Sequence, residues 1–509
     1  MTTTQTPLVA PRPPSRKVAW TVMAVVLALV ATYFIVEAAR PDTECAPGIA
    51  KKAGGECVGV SDGSFTFTGL TDISDKIRTE NRRVAESGEK WVSVVYLESM
   101  SGGGEDRGPE GIRQAVTGAH VAQLELNAER GTLPRIRLLV ANTGRGDAYA
   151  DDVVDQLLKR KDEEQLVAVA GIGQSNIHTQ AAVERLRQAG VPTVGATVAA
   201  DGMRSRVPGF FRVSFPASAQ AAAAAGYFKE QQARRPGYRL HVVRDSKVDD
   251  VYVDSLHSGF ITAAARRGVK IEEIVPFTSG QAEGEGNALR VVAEKICGTG
   301  PPPDAVYFAA RGRELRSFIE AAGEGRRRCP VTVLSGSSAV GVYFDTSRQS
   351  GAQELAELGR RWRAGGLKAF YTAYAHPDAS ARIYGGPERG PYADFERRYL
   401  EVYSGGAGEL DNGQAMVGHD AVYTIGIAAR RARDSYGPSR VTAGTVLDLL
   451  GQTNGTYAVR GVSGPIAFAP DSGGSGEPVG RPMALVELGP PGESGRRAGR
   501  YAFVGPLTP

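Results

Sequence analysis

The chain is poor in the side chains that carry metal and nucleophilic chemistry, with six histidines and four cysteines in 509 residues. The histidines are scattered, no two cysteines form a Cys-x-x-Cys, and no His-Glu-x-x-His string occurs. Zinc and thioredoxin-type sites therefore have no basis. No Gly-Lys-Ser or Gly-Lys-Thr closes a phosphate loop. Gly173-Gln174-Ser175 and Gly336-Ser337-Ser338 lack the closing glycine of a hydrolase elbow. Charge of one sign is missing too: 60 Lys and Arg against 56 Asp and Glu leave a net charge of +4. Spread over the whole length, that is not the clustered basic face that nucleic acid needs. No catalytic residue, cofactor, metal or nucleic-acid partner is expected. The 42% hydrophobic and 23% charged fractions are globular values, which exclude a disordered, collagen-like or multi-span membrane body. At this length two or more domains are expected.

One long apolar run stands out. Val18–Val36 carries no charge, and at about 1.5 Å per residue it just crosses a hydrocarbon core. Arg12, Arg16 and Lys17 precede it, whereas Glu37, Asp42 and Glu44 follow with a single Arg40. The positive-inside bias gives a single-pass cell-membrane protein with a cytosolic tail (1–17), a transmembrane anchor (18–36) and an extracellular body. The competing reading is a cleaved signal peptide and a secreted body, since Val36-Glu37-Ala38 places small residues where a peptidase acts. Export also suits the cysteines, which fall into two local pairs. Cys45 and Cys57 would close a short loop. Cys297 and Cys329 each lie just before a predicted strand, so parallel neighbouring strands would bring them to one sheet edge. Four buried free thiols are the alternative.

Along the chain, strands and helices alternate. The predicted strands Trp91–Leu97, Ile136–Val140 and Leu166–Ala170 are separated by helical spacing over Gly111–Ala128 and Ala148–Arg160. A second run of the same kind begins near Phe215, with strands at Arg239–Arg244, Ala305–Ala310 and Val331–Ser335. This alternation predicts parallel sheets with helices on both faces, and the apolar run Val167–Ala170 suits a strand buried on both sides. Asp471–Pro482 reads as a solvated loop. Gly171-Ile172-Gly173-Gln174-Ser175-Asn176 joins a buried strand to a helix but ends in Asn where a dinucleotide fingerprint needs Gly. Its turn still offers backbone N–H groups at a helix N-terminus, suited to a carboxylate. A plain helix cap by Ser175 or Asn176 is the alternative.

A string of segments resembles the type I periplasmic solute-binding proteins, in the branch that binds leucine, isoleucine and valine. They are Ser101-Gly102-Gly103 with Gly111-Ile112-Arg113-Gln114-Ala115, Gly171 to Thr179 with Gly190 to Thr197, Phe210-Phe211-Arg212-Val213, Tyr252 to Phe260, Pro303 to Phe308, Gly418 to Val422, and Gly461 to Phe468. The resemblance covers roughly residues 90–470. It implies two Rossmann-like α/β lobes joined by a three-crossover hinge, with lobe 1 from 90–213 plus 337–447 and lobe 2 from 214–336 plus 448–509. Residues 37–89 would be an extracellular extension.

The resemblance also implies a ligand site. Ser175, the Gly195 backbone N–H and Thr197 match positions that hold a ligand carboxylate. Tyr252 matches an aromatic position, and Glu314 the acid that pairs with the ligand ammonium. Arg311, in Arg311-Gly312-Arg313-Glu314, departs from the family pattern; it would favour an acidic ligand or neutralise Glu314. The implied function is capture of an amino-acid-like solute for an ABC importer, with a permease as partner. The alternative is a ligand-sensing or protein-interaction ectodomain of the same fold.

Overall fold

The computed structural model describes Met23 and residues 44–508, apart from 102–107, 204–207, 281, 299, 326–327, 345–350, 404, 470–474 and 493–498. Apart from Met23, the expected tail and anchor lie outside the described residues. Among the described residues no helix is long and apolar enough to cross a membrane.

Two sheets organise the chain. The first takes β1 (Glu44–Ala46), β2 (Ile49–Lys51), β3 (Cys57–Ser61), β4 (Trp91–Glu98), β5 (Arg135–Asn142), β6 (Leu166–Gly171), β7 (Thr193–Gly195) and β8 (Phe210–Arg212). The second takes β9 (Leu240–Asp245), β10 (Glu273–Phe277), β11 (Ala305–Ala309), β12 (Thr332–Ser335) and β13 (Lys368–Ala373). After the small hairpin β14 (Val459–Gly461) and β15 (Gly464–Ile466), β16 (Ser475–Gly476) returns to the first sheet, and β17 (Met483–Leu488) and β18 (Tyr501–Leu507) to the second. The orders are β1-β2-β3-β5-β4-β6-β7-β8-β16 and β10-β9-β11-β12-β13-β17-β18. Pairing is parallel from β5 to β16 and from β10 to β13. Antiparallel strands finish one end of each sheet. The six residues of β6 are all buried, as their unbroken apolar run requires of a strand covered on both faces.

The helices are α1 (Thr71–Glu86), α2 (Gly108–Ala128), α3 (Ala150–Arg160), α4 (Ile177–Gln188), α5 (Ala217–Arg234), α6 (Val251–Arg267), α7 (Ala282–Cys297), α8 (Gly312–Glu324), α9 (Gly351–Gly365), α10 (Pro377–Tyr384), α11 (Tyr392–Val402), α12 (Gln414–Tyr436) and α13 (Ala443–Gly451). In α3 the buried Ala150, Val153, Val154 and Leu157 recur at helical spacing and face the sheet. α12 packs along α2 and against β6 and β7. The approach is close enough that a Cβ at Gly118 would sit 1.9 Å from the Ala415 carbonyl oxygen, and one at Gly418 2.1 Å from that of Ala115.

The strand pairing redraws three expectations. Residues 37–89 are not a linker throughout: β1–β3 extend the first sheet by pairing β3 with β5, and α1 packs against β5 and α2. These strands were missed because β1 and β2 have three residues each and the five of β3 are interrupted by Gly59, too short to show a period. Residues 337–447 include β13, which pairs with β12 and β17 in the second sheet, so the return to the first lobe comes after 373. Asp471–Pro482 holds β16 and the buried Glu477 and Arg481, so its described part is no solvated loop. Those charges are tolerated inside because each has a partner. Glu477 takes two hydrogen bonds from Arg212 at 2.7 and 2.6 Å, and Arg481 donates to Ser463 and to the Val213 carbonyl.

Both expected cysteine pairs are disulfides. Cys45–Cys57 ties β1 to β3, Cys297–Cys329 ties the end of α7 to the approach to β12, and no cysteine is free.

Candidate functional site

The first lobe reaches the site through a turn that most residues resist. Gly171, Ile172 and Gly173 have successive φ of +90°, +67° and +56°, and a buried β-branched residue in that region is a true outlier. The turn carries Gly173, Gln174 and Ser175 away from the end of β6. Thr197 follows β7. From the second lobe come Tyr252 at the start of α6, Arg311 after β11, Ser338 after β12 and Tyr374 after β13. Together these eight residues line a cavity of about 20 Å³. All but Tyr252 follow the C-terminal ends of parallel strands, the place where open α/β sheets bind ligands.

Of the six residues singled out in the sequence, Ser175, Thr197, Tyr252 and Arg311 meet here, whereas Gly195 and Glu314 are not among the lining residues. Ser175 Oγ accepts hydrogen bonds from the backbone N–H groups of Ala199 (2.9 Å) and Ala200 (3.0 Å), which fixes the loop after β7. The helix-cap role falls to Asn176: its side chain accepts from Thr179 N at 2.9 Å and donates to Asp147 at 2.7 Å. Thr197 Oγ1 donates to the Gly173 carbonyl at 3.2 Å. Tyr252 Oη accepts from Ser338 N at 3.2 Å, and burial raises its phenol above the usual value. Glu314 lies buried in the first turn of α8, where its carboxylate accepts from Arg313 at 2.9 Å.

Arg311 neutralises Asp250, not Glu314. Its Nη2 donates to Asp250 Oδ1 at 2.8 Å and its Nε to Oδ2, while Nη2 also reaches the Ser175 carbonyl at 2.9 Å and Nη1 reaches Gln174 Oε1 at 3.4 Å. The guanidinium lies 5.3 Å from the Tyr252 ring centre. Asp250 is itself fixed as the N-cap of α6, accepting from Tyr252 N and Val253 N. Burial raises its carboxyl, but the charge and hydrogen bonds of Arg311 outweigh that and hold it below the usual value. Sequence reasoning missed Asp250, although an Asp two residues before a helical tyrosine is a readable cap signal. The expectation that Arg311 favours an acidic ligand is weakened, because its charge is already matched.

Elsewhere, Gly59-Val60-Ser61-Asp62-Gly63 does match the hydrolase string. It ends a strand in a turn, where Ser61 Oγ accepts from Gly63 N and Phe65 N and donates to the Phe65 carbonyl, so the strand-to-helix elbow is missing. A larger concavity, about 480 Å³, lies between α5 and α6 and includes none of the expected site residues. No group of three or more His, Cys, Asp or Glu able to hold a metal occurs among the described residues.

Comparison with solved structures identifies the fold. The leucine-binding protein of Thermotoga maritima is 18% identical, with 82% of this chain and 99% of that one covered at a TM-score of 0.58. The branched-chain amino acid transporter substrate-binding protein of Streptococcus pneumoniae, in complex with isoleucine, is 18% identical over 82% and 99% at 0.56. A branched-chain amino acid ABC transporter structure from Thermus thermophilus with bound valine is 13% identical over 82% and 97% at 0.57. At these identities the likeness establishes the fold, in agreement with the resemblance seen in the sequence. No protein-family model matches the chain, and no curated protein matches it.

Proposed function

We propose that the chain is an extracytoplasmic binding protein that captures a small amino-acid-like solute between its two lobes for an ABC importer, without covalent chemistry. The observation that carries this reading is the cavity between the sheets, whose lining is drawn from both lobes and almost wholly from strand C-terminal ends. The solved proteins of this fold with isoleucine and valine bound support it. A solute touching both lobes would favour the closed form by its differential affinity. Anchoring by 18–36 belongs to the same proposal. Only 37–43 then separate the membrane from β1, a tether of about 25 Å at full extension.

The test is thermal unfolding of protein refolded from denaturant, against single amino acids and small carboxylates. A solute at about 1,000 times its Kd stabilises by about 4 kcal/mol, a shift of several degrees. The shift should disappear in Thr197→Ala and Tyr252→Ala. No shift with any of them would overturn the reading. One observation favours a second reading, a sensing or interaction ectodomain: the cavity is small and already bridged by Arg311.

A further inference from the structure

We propose that the cleft is built around a guanidinium that the chain supplies itself. Arg311 is a tethered occupant that latches the lobes together, and the solute that displaces it carries a guanidinium or amidinium group. This rests on the solute-binding reading and narrows it.

The surroundings of Arg311 are those of a guanidinium subsite. Asp250 takes both Nε and Nη2, a fork-on-carboxylate geometry that a planar guanidinium meets and a compact ammonium does not. The Tyr252 ring supplies an aromatic face. The Ser175 carbonyl and Gln174 Oε1, both from the first lobe, accept from the far edge. One side chain of the second lobe therefore bridges to the first, as a bound solute would. About 20 Å³ remains beside it, room for about one water, so no amino acid enters until Arg311 leaves. Its departure strips a buried carboxylate, 6% exposed, of its counter-charge, a costly state unless another cation takes over. A second guanidinium would repeat these contacts with Asp250, Tyr252, Ser175 and Gln174. The matched pair leaves no net charge to recruit an anion. A tethered side chain acts at a local concentration of about millimolar, so a competitor with about micromolar affinity for the emptied site is weakened about a thousandfold.

The experiment uses the full chain and two readouts. Spin labels on Ile177→Cys and Val248→Cys, exposed positions in the first and second lobes, report the interlobe distance. Calorimetric titration with methylguanidinium, agmatine and L-leucine reports binding. The wild type should show the closed distance without solute. Arg311→Ala should move to a longer distance, bind methylguanidinium and agmatine at least tenfold tighter than wild type, and return to the closed distance when they bind. If Arg311→Ala does not fold, Asp250→Asn, which keeps Arg311 but loosens its grip, should also lengthen the distance. An open distance in the wild type, or a folded Arg311→Ala that binds the guanidinium probes no tighter, overturns the latch. L-leucine closing an open wild type would keep the solute-binding reading and overturn the latch. Guanidinium binding confined to Arg311→Ala, with no amino acid bound by wild type, would support the latch and overturn the import reading.

Discussion

His419 shows how far a residue's role depends on neighbours distant in sequence. It is fully buried on α12, with Nδ1 3.0 Å from Asp420 Oδ1 and Nε2 3.1 Å from Glu125 Oε2. Burial lowers its pKa, but the hydrogen bonds and charges of Asp420 and Glu125 outweigh that and raise it to about 9. A folded-state pKa above the unfolded value of about 6.5 means that the imidazolium stabilises the fold fully below pH 6.5. That contribution, roughly 3 kcal/mol at most, is lost as pH rises through about 9. Urea unfolding at pH 6.5 and 9.5 should find the wild type weaker at the higher pH. The stability gap to His419→Gln should be smaller at pH 9.5; an equal gap at both values would refute the assignment. None of this was legible beforehand, because Glu125 is 294 positions away. The pairing of Arg311 with Asp250, 61 apart, escaped for the same reason, whereas Ser175, Thr197, Tyr252 and Arg311 were singled out because local motif strings carry them.

Among the elements, the sequence is most legible where periodicity is long. The strand at Trp91 and the helices α2 and α3 were all predicted at nearly their observed bounds, since each repeats its apolar residues over several turns or alternations. β13 was missed: Lys-Ala-Phe-Tyr-Thr-Ala begins on an exposed lysine, and its apolar residues neither alternate cleanly nor run unbroken. The contact of α2 with α12 also lies beyond pattern reading, because glycine scores as indifferent there. In the structure Gly118 and Gly418 let two backbones touch. Alanine at either site drives a methyl into a carbonyl that belongs to a rigid helix. Gly118→Ala and Gly418→Ala should each cost roughly 1–3 kcal/mol or more in denaturant unfolding. Gly444→Ala in α13, where a Cβ meets nothing nearer than 3.9 Å, should be neutral or stabilising by up to about 1 kcal/mol. Equal effects at the three sites would show that the close approach is not what requires glycine.

Over the whole molecule, the chain passes between its sheets three times: after β8, after β13 and between β16 and β17. The first and third passages run side by side, and buried arginines bind them. Arg212, 0% exposed, leaves β8 and grips Glu477 with both edges of its guanidinium. Arg481 donates to the Val213 carbonyl at 2.5 Å and to Ser463, whose hydroxyl in turn meets Asp420 at 2.5 Å. Lobe motion must flex these passages, so their cross-links decide whether they bend together. Two charges removed from water recover that cost only while both are present. Glu477→Leu strands a buried guanidinium and should cost about 3–5 kcal/mol in urea unfolding. Arg212→Met with Glu477→Leu removes both charges and should regain most of that stability. A hinge held by shape alone would make the double variant as unstable as the sum of the singles, and would turn the pair from a cross-link into a bystander. If the double variant instead recovers stability while spin labels on the two lobes report a broader spread of distances, the ion pair sets how the passages bend and apolar packing suffices to keep them folded.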